Sequence, residues 1–146
     1  MQLRVKRLYE AAKLPEYQTK GSVCVDLHAC VKLDNGVEIA AGERQLIGTG
    51  IAIELPFSFE AQVRPRSGMA WRHGVTVLNA PGTIDTDYRG EIKVMLVNLG
   101  GDTVKICHHD RIAQLAIVPA HRICLKEVEE LTPTARGDRG FGHTGT

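Results

Sequence analysis

The stretch RPRSGMAWRHGVTVLNAPGTIDTDYRGEIKVMLVN, residues 64–98, decides the fold class. Its last eight residues alternate: Ile92, Val94 and Leu96 fall on one side, Glu91, Lys93 and Met95 on the other. A period of two belongs to a strand with one face in a core. A second apolar run, 75–78, precedes it, and the segment between is packed with Pro, Gly, Asn and Asp. The whole reads as two strands joined by a chemically crowded loop.

Working outward, strand-like runs recur at 3–6, 24–29, 37–39, 44–53, 60–63, 103–106, 112–118 and 123–128. Turn signals separate them: Asp34-Asn35-Gly36, Ala41-Gly42, Pro81-Gly82 and Gly100-Gly101-Asp102. Strands at this spacing predict an all-β sandwich or barrel. The best helix candidate is MAWRHGV, 69–75, one or two turns stopped by Gly74.

The chain has 146 residues and suits one domain with a real core. Its formal net charge is +1 with no basic stripe, which argues against a polymeric nucleic acid as partner. No apolar run approaches the roughly 20 residues that span a bilayer, so no membrane is expected. The opening MQLRVKRLYEAAKLP lacks an apolar core of the signal-peptide kind. The expected location is the cytoplasm. Four cysteines, Cys24, Cys30, Cys107 and Cys124, form no C-x-x-C pair. Cys107-His108-His109 and His121-x-x-Cys124 invite a zinc reading, but structural zinc sites use paired ligands at short fixed spacing. Buried thiols with surface histidines are the expectation.

Composition changes after Thr132-Pro133, where TARGDRGFGHTGT begins. Such a segment buries too little apolar surface to fold alone. A core domain over 1–132 and a flexible C-terminal arm over 133–146 are expected. The bland reading of the arm is a frayed terminus. The specific one is an arm that orders on a phosphate ligand: glycines expose backbone N–H groups, Arg136 adds charge, Thr144 a donor, and Phe141 a face to stack on a base.

The loop residues carry the chemistry. Asn79 offers an amide donor and acceptor, the pair that reads a pyrimidine edge. Gly82 permits close backbone approach. Asp85 stands where a carboxylate would take a proton from an attacking water. Tyr88 presents a flat ring with a polar tip. Upstream, Arg66-Ser67-Gly68 lines up a guanidinium, a hydroxyl and an open N–H, which is anion-binding equipment. Each taken singly is also ordinary turn chemistry; their crowding is what points to a site.

These residues fall into five ordered motifs, and in them the chain resembles the trimeric dUTPase family. The motifs are VCVDL from Val23, PRSGMAWRHGV from Pro65, NAPGTIDTDYRGEIKVMLVN from Asn79, DRIAQL from Asp110, and RGDRGFGHTG from Arg136. The resemblance implies a jelly-roll-like distorted β-barrel and a homotrimer with shared active sites. It implies hydrolysis of dUTP to dUMP and pyrophosphate by water attack on the α-phosphorus, serving dUMP supply and the exclusion of uracil from DNA. By position, Asn79 would pair with uracil, helped by Gly82, Thr83 and Ile84 of the hairpin. Tyr88 would lie under the deoxyribose and exclude a 2′-hydroxyl. Asp85 rather than Asp87 would be the general base. Arg66, Ser67, Gly68, Lys93 and Gln114 match substrate-binding positions. Asp26 would hold Mg²⁺ through water. The arm of a neighbouring copy would close as a lid, with Phe141 over the base, Arg136 and Thr144 near the γ-phosphate, and Gly142 also binding substrate.

The chain departs from the pattern at four places. Val23-Cys24 replaces Ala-Gly ahead of Asp26. His109 stands where Gly precedes Asp-Arg-Ile-Ala-Gln, a costlier occupant if the turn needs a positive φ. Arg139 replaces a Gly in the arm and His143 a Ser. Three other readings compete. The dCTP deaminase group shares the fold, yet the hairpin offers no added acid/base glutamate. A regulatory protein on the same scaffold is weakened by the uninterrupted motifs. A zinc-binding domain lacks paired ligands.

Overall fold

A computed structural model describes residues 2–32 and 35–140. It contains eleven strands and one short helix: β1 Arg4–Arg7, β2 Val25–His28, β3 Val37–Ile39, β4 Arg44–Gly48, β5 Ile51–Glu54, β6 Phe59–Arg64, α1 Ser67–His73, β7 Val75–Val77, β8 Gly82–Ile84, β9 Lys93–Asn98, β10 Val104–Ile106 and β11 Arg111–Pro119. All pairing is antiparallel, in four small sheets ordered β1-β5, β10-β3, β2-β11-β6-β8 and β4-β9-β7. The sheets enclose one core and do not join into a closed barrel. This is the all-β architecture the turn spacing predicts, in the distorted, interrupted form of a jelly-roll-like fold.

β9 follows its alternation. Ile92, Val94 and Leu96 are fully buried, while Lys93 and Met95 face out. They pack with Leu27, Ile39, Ile47, Ile51, Ile106, Ile112 and Leu115 in one cluster. Each such side chain contributes roughly 1.5–3 kcal/mol on burial. The end of β9 is tied by Asn98, which is fully buried. Its Nδ2 donates to Ile39 O at 2.9 Å and Asp102 O at 2.8 Å, and its Oδ1 accepts from Gly100 N at 2.9 Å. A buried amide with three partners costs nothing unpaired and joins β9, β3 and the 100–102 turn.

The crowded loop is more than a hairpin tip. β7 and β9 do pair, with Val77 opposite Leu96. Between them the chain crosses to another sheet, where β8 pairs with β6 and Gly82 lies opposite Val63. The crossing begins at a cis Ala80-Pro81 bond. A Cβ at Gly82 would sit 3.2 Å from Asn79 Nδ2 and 3.4 Å from Val63 Cβ, so glycine lets the strand approach closely.

Three expectations need correction. The run 44–53 is two strands, because Gly50 takes φ +69° and the chain turns from the β4 sheet to the β5 sheet. The run 123–128 forms no strand: Ile123 and Leu125 are 77% and 86% exposed, and no strand among the described residues pairs with them. A strand-forming run without a neighbouring edge does not make a ladder. The thiols are not buried either; Cys24 and Cys30 are half-buried, Cys107 and Cys124 exposed. Cys107 lies just past the end of β10, and Cys124 lies in the unpaired segment.

The helix arrives where expected, two residues early at each end. Pro65 and the extended Arg66 start it, and Gly74 at φ +68° stops it. At Gly74 a Cβ would meet Gly100 Cα at 2.7 Å, so glycine is required by space as well as by angle. Among the described residues no helix is long and apolar enough to cross a membrane.

Candidate active site

Most of the predicted residues that are described gather in two separate clefts, while Asn79, Gly82 and Arg136 line neither. The first, of about 310 Å³, contains Asp26, Arg66, Ser67, Gly68, Arg111 and Gln114. The second, of about 290 Å³, contains Thr83, Ile84, Asp85, Tyr88, Glu91 and Lys93.

The first cleft is organised by Asp26, which is 8% exposed. β2 places it opposite Gln114 of β11, and its N–H donates to Glu16 O at 2.9 Å. Its Oδ1 lies 3.3 Å from Arg66 Nε and its Oδ2 3.2 Å from Arg111 Nη1. Arg66 also donates to Arg111 O at 2.9 Å. Arg111 Nη1 is shared with Gln18 Oε1 at 2.9 Å. Gln114 Nε2 donates to Pro65 O at 2.9 Å, which steadies the entry to α1. The carboxylate thus holds two guanidinium groups at the rim, and the first helical donor is Met69 N, bonded to Arg66 O. The N–H groups of Ser67 and Gly68 are not consumed by the helix. The resulting surface carries positive charge and unspent donors, which suits a phosphate chain.

The sequence reading missed Arg111 and Gln18. Arg111 stands inside DRIAQL, but three residues from Gln114 it should face the opposite side of a regular strand. A register shift between Arg111 and Ala113 brings both to one cleft.

The second cleft lies on the loop after β8. Tyr88 is 44% exposed; its N–H donates to Asp85 O at 3.2 Å and its hydroxyl to Glu91 O at 3.0 Å. Its ring covers Gly90, where a Cβ would come 2.6 Å from Tyr88 Cζ. Asp85 lines this cleft with Tyr88. Asp87 does not; it faces another cleft with Phe57, Phe59 and Arg122, which Asp85 also borders. Lys93 Nζ is 3.7 Å from Glu91 Oε2. Asn79 is exposed, its amide folded over Gly82.

The departures are now placed. His109 does take a positive φ, +67°, and its Nε2 is 2.7 Å from Ala11 O. Cys24 borders the first cleft. Arg136 lies in neither cleft. It sits in an exposed turn where its Nε donates to Arg139 O at 2.8 Å, and Arg139 donates back to Arg136 O and to Ala135 O. Phe141, Gly142, His143 and Thr144 lie outside the described residues.

A family model described as dUTPase matches residues 10–145. The deoxyuridine 5′-triphosphate nucleotidohydrolase of Hydrogenobaculum sp. (strain Y04AAS1) is 56% identical over 145 residues, 99% of each chain. That of Nautilia profundicola is 52% identical over 145 residues, again 99% of each. Among solved structures, a Staphylococcus bacteriophage 80alpha dUTPase with dUPNHPP matches at TM-score 0.87 and 26% identity, covering 99% of both chains.

Proposed function

The chain belongs to the dUTPase family, and from that premise we propose how its own residues hydrolyse dUTP to dUMP and pyrophosphate. The observation that carries the reading is the division of the chemistry between two clefts. One has cations and donors for phosphates, and its carboxylate, Asp26, is engaged by Arg66 and Arg111. The other has a carboxylate beside an aromatic ring but no cationic pair such as Arg66 and Arg111.

At the hairpin, Asn79 and Gly82 beside the cleft and the Thr83 and Ile84 backbone within it read the uracil edge, and Tyr88 floors the deoxyribose. Rejection of other bases works by leaving buried polar groups unpaired. Asp85 orients a water toward the α-phosphorus and takes its proton. The preference for Asp85 over Asp87 is supported by position, since only Asp85 shares the cleft with Tyr88. In the first cleft, Arg66, Ser67, Gly68 and Gln114 hold the phosphates and offset charge gathering on the departing pyrophosphate.

A site needs both clefts, and they share no lining residue. Halves joined between copies in a homotrimer answer that need. The exposed Ile123, Leu125 and Leu131 support association. The arm from residue 133 then acts as a lid over a neighbouring site, with Arg136, Phe141, Gly142 and Thr144 closing on the nucleotide. The cytoplasm is the compartment proposed.

Mg²⁺ fits this chemistry in one form only. Both oxygens of Asp26 face guanidinium groups. No group of three or more His, Cys, Asp or Glu gathers among the described residues. That donor set suits an ion carried on the triphosphate and met by Asp26 through water, rather than one bound directly. When bound, the ion neutralises phosphate charge.

The test is pyrophosphate release with Mg²⁺ from dUTP, dTTP, dCTP and UTP, run beside Asp85→Asn. Release from dUTP alone, lowered about 10²–10⁴-fold in the variant, is expected. Equal release from Asp85→Asn would remove Asp85 as the base.

A further inference from the structure

We infer that Glu91 is a positioning residue for sugar discrimination, acting through Tyr88. This rests on the reading of Tyr88 as the floor of the deoxyribose.

Tyr88 belongs to a loop and is nearly half exposed, so its ring is held by little packing. Among the described residues its hydroxyl has one partner, the carbonyl of Glu91 at 3.0 Å. The height of the ring therefore depends on where that carbonyl sits. The Glu91 carboxylate helps to fix it, together with the Ile92 N–H of the same peptide, which donates to Ile51 O. Oε1 accepts from Gly50 N at 2.9 Å, Oε2 faces Lys93 Nζ at 3.7 Å, and the side chain is only 16% exposed. Room for it exists because residue 48 is glycine; a Cβ there would lie 2.6 Å from Oε1.

The anchor it grips is rigid. Gly50 sits at φ +69° against Ala12 and Cys30, where a Cβ would be 2.6 Å from Ala12 Cβ. The next residue, Ile92, closes the connection from both sides. Its N–H donates to Ile51 O at 2.9 Å, and its carbonyl accepts Thr49 N at 3.2 Å and Thr49 Oγ1 at 2.6 Å. The β4–β5 corner, the Glu91 carboxylate and the Tyr88 hydroxyl are thus one connected support. A largely buried carboxylate is an expensive way to hold a loop, and an apolar residue would do if only stability mattered. Its use is explained if the loop must resist displacement. A ring that cannot sink excludes a 2′-hydroxyl, and a ring that can sink admits it.

The experiment measures kcat/KM for dUTP and UTP, with melting temperatures, in wild type, Glu91→Ala, Glu91→Gln, Tyr88→Ala, Tyr88→Phe and Tyr88→Phe with Glu91→Ala. In Glu91→Ala the dUTP:UTP ratio is expected to fall about tenfold, chiefly through a lower KM for UTP. Glu91→Gln, whose amide oxygen still accepts from Gly50 N, should restore the ratio. In the Tyr88→Phe background, Glu91→Ala should change it no further. An equal loss for both nucleotides in Glu91→Ala would overturn the inference, leaving Glu91 a purely structural residue. An unchanged ratio in Tyr88→Ala would instead overturn the reading of Tyr88 itself, and the inference with it. If Glu91→Ala does not fold, Glu91→Asp draws the carboxylate back from Gly50 by one methylene. A reduced ratio there supports the inference, and an unchanged one sinks it.

Discussion

Arg111 and Gln114 stand three residues apart on one strand, yet both reach the cleft that holds Asp26. In a regular strand they would point to opposite faces. The register shift between Arg111 and Ala113 absorbs one residue and turns Arg111 round, to within 3.2 Å of Asp26. Arg111 therefore joins Arg66 in the cationic rim through one irregularity in β11.

Asp26 is the hub of that rim, and its removal should be felt in stability as well as in binding. Asp26→Ala leaves Arg66 and Arg111 facing each other without their shared acceptor. We expect a loss of about 2 kcal/mol, from hydrogen bonds to charged groups, and a higher KM for dUTP. Asp26→Asn keeps one acceptor and should lose less. Thermal melts of the two variants check this; equal melting temperatures for wild type and Asp26→Ala would contradict it.

His109 separates backbone strain from side-chain bonding. Its φ of +67° is costly for any residue with a Cβ, and its ring contacts Ala11 O. His109→Gly and His109→Ala both lose that bond, but only Gly relieves the angle. Gly should therefore be the more stable of the two by about 1 kcal/mol, read by denaturant titration.

Gly90 is the space under the Tyr88 ring. A methyl at 90 would come 2.6 Å from Cζ, and either the ring or the loop must move. Gly90→Ala is expected to cost about 1–3 kcal/mol and to raise the KM for dUTP. Unchanged steady-state kinetics would show that the ring position does not matter to binding.

His28 gives the stability a pH dependence. The imidazole is 3% exposed, and its Nδ1 has no hydrogen-bond partner among the described residues. Burial, then the charge of Lys13, holds its pKa below the usual value; Glu16 and Asp26 oppose this, and His109 adds to it. The folded state thus binds a proton less readily than the unfolded chain. Its contribution is complete above the ordinary histidine value near 6.5 and is lost as pH falls through that value. The slope approaches at most about 1.4 kcal/mol per pH unit. His28→Leu, which removes the titrating group, should flatten the curve between pH 7 and 5 in urea titrations.

Much of this was legible along the chain. The alternation of Ile92, Val94 and Leu96 named a buried face, and Gly74 ended the helix where the pattern said it would. His109 in place of glycine posed the question of a positive φ, and the turn does take one. What failed did so for one reason, the need for a partner. The 123–128 run is rich in strand-forming residues but has no edge beside it among the described residues. The 44–53 run reads as one stretch, yet it is broken around Gly50 by bonds from this corner to Glu91 and Ile92, more than 40 residues away.

The sequence by itself determined the class of fold, the order of the motifs and the residue types proposed to meet the nucleotide, because period, turn chemistry and functional groups are local properties. Tertiary structure alone decided that those residues divide between two clefts, that a strand irregularity brings Arg111 to Asp26, and that Glu91 holds Tyr88 from the far side of a corner. Those relationships come from pairing and packing between distant segments, whose register depends on which edges meet and which side chains fit between them.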